Sequence, residues 1–266
     1  MGSLRLWNAV KGRLWWLARL VRFRIWTTRL SRALRRNGAR LILDVAYPPQ
    51  FEGLPVLRIV GVGEGDATLT LRIGHGVVLG RLVELEVWAG GTNVLELEDD
   101  VHVLSFTRLK LRSGRIRLGS GSHIREFCML KSGGDLDIGR DVEVSYGTTM
   151  HCHERIELAD WVGITDRVTI VDSEHTLDGT GHDHFFHRPV RADPVVIGRN
   201  TFLASNSVIA AGSRVGPNAA VAAGAVLTGG EYPGGWLIAG VPARPYKELS
   251  ASEDRETAAS AAQRAG

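Results

Sequence analysis

Several residue types that often define a fold or a cellular location are scarce in this chain of 266 residues. Only two cysteines occur, Cys128 and Cys152, which are too few for a disulfide framework and lack the spacing of a zinc site. We expect both thiols to be reduced and at least half buried, which predicts a cytoplasmic protein. No run of about eighteen uncharged apolar residues is present, so no transmembrane helix is predicted.

Acidic residues are also missing from the N-terminal part of the chain, where the first one is Asp44. Residues 1–40 carry ten arginines and Lys11, together with four of the seven tryptophans. The remaining residues hold 21 basic and 29 acidic side chains, a formal charge of −8. Residues 3–36 contain no proline and are rich in arginine and leucine, so this segment is predicted to be helical.

The basic helical segment has two interpretations that the sequence leaves open. Tryptophans and arginines together suit peripheral contact with the cytoplasmic membrane leaflet, where indoles lie at headgroup level and cations meet anionic lipid. Alternatively, the segment packs on the rest of the protein or on a neighbouring subunit and turns its basic face to solvent. Nucleic-acid binding is not expected, because no recognition motif accompanies the charge.

Aromatic residues make up only 7% of the chain, whereas aliphatic residues recur in its second half at intervals of six. The clearest triplets are Leu118, Ile124, Leu130; Ile138, Val144, Met150; Leu158, Ile164, Ile170; Ile197, Leu203, Ile209; and Val215, Val221, Leu227. A fixed repeat of this kind is typical of a solenoid. A period of six fits a coil with three flat sides, each a short strand with one aliphatic residue pointing inward.

The spacing of the triplets predicts how the coils stack. Their first residues lie about twenty positions apart, which leaves room for three sides of six and slightly wider corners. Strands of successive coils would then be parallel and about 4.8 Å apart, and each coil would bury its aliphatics against the next. A small residue follows the first aliphatic of each triplet: Gly119, Gly139, Ala159, Gly198 and Gly216. We expect these glycines to occupy corners with a positive φ.

The same pattern divides the chain. Residues 41–96 read as strands with a poor repeat and are predicted to form irregular first coils. Residues 97–249 form the regular solenoid, interrupted by one long loop at 171–194. Residues 250–266 are rich in alanine, serine and charge, and are predicted to be a flexible tail.

Two C-terminal stretches, Ile197–Thr228 and Ala239–Arg244, resemble the hexapeptide-repeat acyltransferases, in particular the maltose, galactoside and capsular-polysaccharide O-acetyltransferases. The resemblance implies a left-handed parallel β-helix. Only the resemblance implies that the coil is left-handed, since crossover connections are generally right-handed. It also implies a homotrimer that transfers an acyl group from acetyl-CoA, or another acyl-CoA, to a sugar or glycan hydroxyl in cell-surface polysaccharide biosynthesis, without a metal ion.

The interruption of the repeat is the predicted site of catalysis. Its polar residues cannot lie in a narrow apolar core, and insertions of this kind cluster on a binding face. His175 follows the strand-like run Val168–Asp172, and in the family a histidine after such a run is the general base. Neutral imidazole accepts a proton near pH 7. Asp172 or Glu174 is expected to orient the ring, and the sequence does not choose between them.

The resemblance also implies a donor site. Ala204 and Ser205 match residues along the pantetheine arm, where a backbone N–H would stabilise the oxyanion. Ala223 and Thr228 match later contacts. The remaining matches are the basic positions near the nucleotide phosphates, Arg244 and Lys247. The family commonly has lysine after the threonine, and Gly229 stands there instead.

The acceptor site is less well defined. Ser145 and His153 stand where the family often has Asn or Asp, and His182 and His184 lie in the insert with His187. Loop histidines of this kind could bind acceptor or Zn²⁺, or be solvated. A γ-type carbonic anhydrase, which needs three histidines from adjacent coils on Zn²⁺, remains an alternative. So does a non-enzymatic, membrane-tethered scaffold.

Overall fold

A computed structural model describes residues 2–63, 66–176, 184 and 187–249, with side chains from Leu14 onward. Across these ranges one α-helix precedes a left-handed parallel β-helix of about eight coils. The coils build three flat sheets, named A, B and C in the order in which the chain visits them. This architecture confirms the predicted all-β solenoid with a helical N-terminal segment.

The helix α1 spans Gly2–Arg36. Sheet A contains β1 Ala39–Val45, β4 Ala67–Ile73, β7 Thr92–Leu97, β10 Arg115–Leu118, β13 Asp135–Ile138, β16 Arg155–Leu158, β21 Val195–Ile197, β24 Ser213–Val215 and β27 Gly230–Tyr232. Sheet B contains β2 Gln50–Phe51, β5 Val78–Leu79, β8 His102–Val103, β11 His123–Ile124, β14 Glu143–Val144, β17 Gly163–Ile164, β22 Phe202–Leu203, β25 Ala220–Val221, β28 Trp236–Gly240 and β29 Ala243–Glu248. Sheet C contains β3 Val56–Val60, β6 Glu84–Trp88, β9 Arg108–Leu111, β12 Met129–Ser132, β15 Thr149–Cys152, β18 Thr169–Val171, β23 Val208–Ile209 and β26 Val226–Leu227.

The six-residue repeat is the inward face of the three sheets. All members of the five predicted triplets are at most 3% exposed. The repeat also extends further toward the N-terminus, where Ile73, Leu79 and Leu85 are buried at the same spacing. The strands of these first coils are longer, since β4 has seven residues and β10 has four. Residues 41–96 thus supply strands to the same three sheets, and the extra residues in each coil hide the repeat in the sequence.

The regular spacing of small residues has a different cause from the one expected. Gly119 and Gly139 do not have a positive φ. A Cβ on Gly119 would lie 2.5 Å from the carbonyl oxygen of Gly139, and a Cβ on Gly139 would lie 2.7 Å from the backbone of the next coil. The positive φ falls two residues later, at Gly121 (73°) and Asp141 (52°). Close stacking of backbones, and not a left-handed turn, therefore excludes a side chain at these positions.

The C-terminal half of α1 covers the first coils. Its buried side chains recur with helical spacing: Phe23, Trp26, Leu30 and Leu34. The Trp26 ring lies 5.6 Å from that of Phe51 in β2, and Arg22 Nη1 donates a hydrogen bond of 3.1 Å to the Phe51 carbonyl. The helix is thus part of the same hydrophobic core.

The other face of α1 remains uncovered. Its exposed apolar side chains are Leu14, Leu17, Val21 and Ile25, whereas Trp15 and Trp16 are exposed on the packed side, N-terminal to Phe23. Within the described part of the chain, no helix is both long enough and apolar enough to span a bilayer. The helix thus packs on the solenoid along one face and presents apolar side chains among arginines along the other.

The stacking constraint at Gly119 gives a direct test of the fold. Gly119→Ala should lower the free energy of unfolding by about 1–3 kcal/mol, because the added methyl group must push two coils apart. Denaturant unfolding followed by circular dichroism measures the change. The matched control is Gly163→Ala in β17, where the nearest atom to an added Cβ, on Phe202, is 3.5 Å away. Equal midpoints for the two variants would contradict this packing.

Candidate active site

The interruption of the repeat folds as a hairpin at one edge of the solenoid. β19, Ser173–His175, pairs antiparallel with β20, Val190–Ala192. The hairpin leaves the solenoid after β18 in sheet C and returns to it at β21 in sheet A. Both of its strands are short continuations of rigid elements, so the backbone at His175 is fixed by pairing with Val190.

The orientation of His175 is set by the main chain of the returning strand. Its Nδ1 lies 3.1 Å from the carbonyl oxygen of Arg188. A carbonyl oxygen can only accept a hydrogen bond, so Nδ1 carries the proton of the neutral ring. Nε2 is then the basic nitrogen, which is the arrangement that a general base requires.

The two acidic neighbours of His175 lie in different environments. Asp172 is fully buried, and its carboxylate accepts backbone hydrogen bonds from His153 (2.7 Å), Glu154 (2.8 Å) and Arg155 (2.8 Å). Glu174 is exposed, on the opposite face of β19 from His175. The group that hydrogen-bonds Nδ1 of His175 is therefore the Arg188 carbonyl, where Asp172 or Glu174 was expected. The Asp172 carboxylate instead stabilises the turn of the preceding coil.

The other predicted site residues divide between the two edges of sheet C. The BC corner is the edge where the turns 145–148, 165–168, 204–207 and 222–225 join sheet B to sheet C. It carries Ser145, Ala204, Ser205 and Ala223. The CA corner is the opposite edge, where sheet C leads to sheet A through 153–154, 172–194 and 228–229. It carries His153, Asp172, His175 and Thr228.

The remaining predicted residues lie elsewhere. Arg244 and Lys247 are exposed on β29, the last strand of sheet B. His184 is exposed, with its ring 5.2 Å from that of His187. His182 lies outside the described residues.

The BC corner forms a ladder of small and polar side chains. Ser145 Oγ donates to Asp166 Oδ1 at 2.6 Å, and the hydroxyls of Thr165 and Ser205 are 2.9 Å apart. One coil further, the Gly224 N–H donates to the Ser205 carbonyl at 3.0 Å. A Cβ built on Gly224 meets no atom within 4 Å, so the ladder borders open space.

The turns of this ladder have backbone donors that are available to a ligand. Among the described residues, no acceptor hydrogen-bonds the N–H of Ser205, nor the N–H at the same turn position in the other coils, at Tyr146, Asp166 and Ala223. A backbone N–H beside small side chains can stabilise a developing oxyanion. The BC corner therefore has the donors and the space for an extended ligand.

The width of sheet C separates this ladder from His175. Asp166 lies beside Ser205 in the turn at the BC corner, and strand β18 leads from that turn to Asp172. At about 3.3 Å per residue, the extended chain from Thr169 to Asp172 alone covers about 10 Å, and His175 lies further along the hairpin. A single chain therefore does not bring the imidazole against Ala204 or Ser205.

A cleft at the CA corner contains His153, a predicted acceptor contact, but its basic residues Arg112 and Lys131 were not predicted from the sequence. It is lined by Arg112, Lys131, His151 and His153, with Ser173 of the hairpin. The sequence contained one signal for this cleft. Residues about twenty positions apart stack on each other in successive coils, so the outward residues Lys131 and His151 become neighbours. In the part of the chain that the structure describes, no group of three His, Cys, Asp or Glu side chains is placed to hold a metal ion.

Comparisons with known proteins give the class to which this architecture corresponds. Residues 194–229 match the family described as bacterial transferase hexapeptide (six repeats). This match confirms the resemblance to the hexapeptide-repeat transferases over that part of the chain.

Similar individual proteins support the same class. A 2,3,4,5-tetrahydropyridine-2,6-dicarboxylate N-acetyltransferase from Staphylococcus aureus is 42% identical over 66 residues, which is 25% of this chain. The chain spans about a quarter of the length of that relative, 27%.

Solved structures show the same fold. The polySia-specific acetyltransferase NeuO superposes with a TM-score of 0.56 at 19% identity, over 81% of this chain and 84% of NeuO. The N-acyltransferase AntD from Bacillus cereus, in complex with dTDP-4-amino-4,6-dideoxyglucose and coenzyme A, gives a TM-score of 0.50 at 17% identity. That superposition covers 64% of this chain and 91% of AntD.

The environment of the two cysteines makes a prediction about thiol reactivity. Burial raises the pKa of Cys128 to about 11, and burial together with the charge of Asp172 raises the pKa of Cys152 to about 12. The thiolate is the reactive form, so neither thiol should react with Ellman's reagent at pH 8 in the folded protein. Two equivalents per chain should react after unfolding in guanidinium. Rapid reaction of the native protein with Ellman's reagent would contradict this burial.

Proposed function

We propose that this protein is an acyl-CoA-dependent O-acyltransferase, most simply an O-acetyltransferase, that modifies a sugar or glycan hydroxyl in cell-surface polysaccharide biosynthesis. The observation that carries the proposal is the bond from His175 Nδ1 to the Arg188 carbonyl. It leaves Nε2 as the basic nitrogen, on a strand that pairs with β20 beside a solenoid with transferase hexapeptide repeats. The N-acetyltransferase relative and the structural neighbours add support for acyl transfer as the reaction class.

The proposed reaction proceeds without a covalent enzyme intermediate. Nε2 of His175 accepts the proton of the acceptor hydroxyl as its oxygen attacks the thioester carbonyl of acetyl-CoA. The carbonyl oxygen becomes an oxyanion, which the Ser205 N–H stabilises. Collapse of the tetrahedral intermediate breaks the C–S bond, and the departing thiolate takes the proton from the imidazolium. This scheme requires a base, a donor groove and an oxyanion donor, and no metal ion.

The donor groove is proposed to follow the BC corner. Ala204, Ser205 and Ala223 stack over two coils and leave the backbone accessible to the amides of the pantetheine arm. Arg244 and Lys247 on β29 are proposed to contact the nucleotide phosphates, because both side chains are exposed and basic. Thr228 lies at the CA corner and would contact the arm from the other edge of sheet C.

The separation of the two corners favours a site shared between chains. His175 and the donor ladder lie on opposite edges of sheet C in one chain, too far apart for direct transfer. In a ring of identical subunits, the CA corner of one chain can face the BC corner of its neighbour. We therefore propose a homotrimer in which the acceptor and acetyl-CoA bind between neighbouring solenoids. Ser145, His153, His182 and His184 remain proposed acceptor contacts in that interface.

Transfer to nitrogen is the second candidate, because the relative from Staphylococcus aureus and AntD are named as N-acyltransferases. The product distinguishes the two. An O-acetyl ester is cleaved by hydroxylamine, whereas an amide is stable to it. Incubation with acetyl-CoA and paired hydroxy and amino sugars, followed by hydroxylamine treatment, should yield a labile product; a stable product would assign the enzyme to amine acceptors.

Replacement of the proposed base tests the mechanism. His175→Ala should lower kcat by about 10²–10⁴-fold, the usual contribution of a general base. Acetyl-CoA affinity, measured by isothermal titration calorimetry, should stay near that of the wild type, because His175 lies across sheet C from the donor groove.

The matched control is His123→Ala, which removes an outward histidine of sheet B paired with Glu143. It should retain activity. Normal turnover by the His175→Ala variant would show that His175 is not the general base. A folded wild-type protein that does not bind acetyl-CoA would refute the acyltransferase proposal itself.

The uncovered face of α1 is proposed to contact the inner face of the plasma membrane. It combines exposed apolar side chains such as Leu14 and Leu17 with neighbouring arginines, and Trp15 and Trp16 are exposed beside it. Indoles at headgroup level and cations near anionic lipid are favourable there. This contact would bring the site close to lipid-linked glycan acceptors.

Flotation with vesicles tests this contact. The full chain should float with vesicles containing phosphatidylglycerol and should float less at high salt, because surface charge is screened. Leu14→Ser with Leu17→Ser should reduce flotation. The matched control is Ile42→Ser with Leu43→Ser, which removes two exposed apolar side chains of β1. Equal flotation of the two double variants would discard the helix as the contact.

A further inference from the structure

The cleft at the CA corner lies beside the proposed base. It has a volume of about 430 Å³, within the range of small-molecule sites. Ser173 lines its wall, and Ser173 and His175 lie on the same face of β19. Two residues of extended chain separate their Cα atoms by about 7 Å. A ligand in the cleft would therefore extend naturally to the imidazole.

The charge of this cleft is not balanced. Glu86 forms ion pairs with Lys110 at 3.3 Å, Arg112 at 3.0 Å and Arg58 at 3.9 Å, so one carboxylate is shared by three cations. Lys131 follows Lys110 in the outward column of sheet C. Among the residues that the structure describes, no carboxylate forms an ion pair with Lys131.

Sheet A shows how the same fold balances charge elsewhere. Arg115 contacts Glu96 at 3.3 Å, Asp135 at 2.9 Å and Asp137 at 3.3 Å. Arg117 likewise contacts Glu98 and Asp137 on the neighbouring coils. The excess positive charge around Lys131 is thus a local property of the cleft.

His151 adds a neutral ring to the same wall. It pairs in register with Lys131. Burial, with the charges of Lys131 and Lys110, lowers the pKa of His151, so the ring is neutral at pH 7. Its Nε2 is enclosed, without a hydrogen-bond partner among the described residues, and is not open to the cleft. The cations that would meet an anionic ligand are therefore Lys131 and Arg112.

We propose that this cleft binds an anionic group, a carboxylate or a phosphate ester, on the sugar acceptor. Lys131 and Arg112 would hold the anion, and a hydroxyl of the same sugar would reach Nε2 of His175. The inference deepens the proposed function and rests on it for the role of His175. It assigns Lys131 as the residue that selects acidic acceptors over neutral ones.

Direct binding tests the cleft without any transfer reaction. Saturation-transfer NMR with the full chain would compare glucuronate, glucose 6-phosphate and glucose. At least one anionic sugar should bind about tenfold more tightly than glucose, the contribution of one charge-assisted hydrogen bond. Preference for glucuronate would identify a carboxylate acceptor, and preference for glucose 6-phosphate a phosphate ester.

Two variants assign the preference to the cleft. Lys131→Met should remove most of the tenfold advantage of the anionic sugar. The matched control is Arg155→Met, which removes an equal charge from sheet A, where Arg155 pairs with Glu157 at 2.6 Å. Equal binding of glucose and both anionic sugars would overturn the proposal, as would a Lys131→Met variant that keeps the preference.

Acetyl-CoA titration separates this proposal from the function on which it rests. Lys131→Met should bind acetyl-CoA as the wild type does, and in a transfer assay it should raise KM for the acidic acceptor about tenfold with little change in kcat. Normal acetyl-CoA binding with no anionic preference would refute the cleft alone. Absence of acetyl-CoA binding in the wild type would refute the transferase, while the sugar-binding result would still decide the specificity of the cleft.

Discussion

The parallel stacking of coils is the interaction on which the rest of the structure depends. Each backbone donates to the coil beside it, as His123 does to Val142 and Thr149 to Val168, and each inward aliphatic packs on its counterpart in the next coil. Stacking brings residues about twenty positions apart in sequence into direct contact. The pair Lys131 and His151 arises in this way. Both the core and the surface columns from which sites are built are therefore products of one repeat.

The hairpin shows how a functional group can be added without loss of that regularity. The chain leaves sheet C and returns to sheet A, and Asp172 anchors the exit by accepting three backbone N–H groups of the preceding coil. The Asp193 N–H donates to the Asp172 carbonyl at 2.8 Å, which ties the return to the same point. His175 therefore lies three residues after a point of the backbone that is tied both to the preceding coil and to the returning strand.

The sequence predicted most of what a fixed period determines. Every inward residue of the five triplets was foreseen, as were the helix and the break that carries His175. Features that depend on distances between coils were not predicted. The glycines at 119 and 139 avoid the backbone of the next coil, which is visible only in three dimensions. Similarly, the Arg188 carbonyl reaches His175 from across a hairpin whose pairing has no marker in the sequence.

The central claim is that His175 of one chain acts on acetyl-CoA held by the BC corner of its neighbour. Co-expression of His175→Ala with Ala223→Trp, each inactive alone, measures this most directly. In randomly mixed rings, about a quarter of the interfaces would pair an intact base with an intact groove. The account predicts recovery of about a quarter of wild-type activity. A mixture as inactive as its two components, in confirmed mixed oligomers, would contradict a site shared between chains.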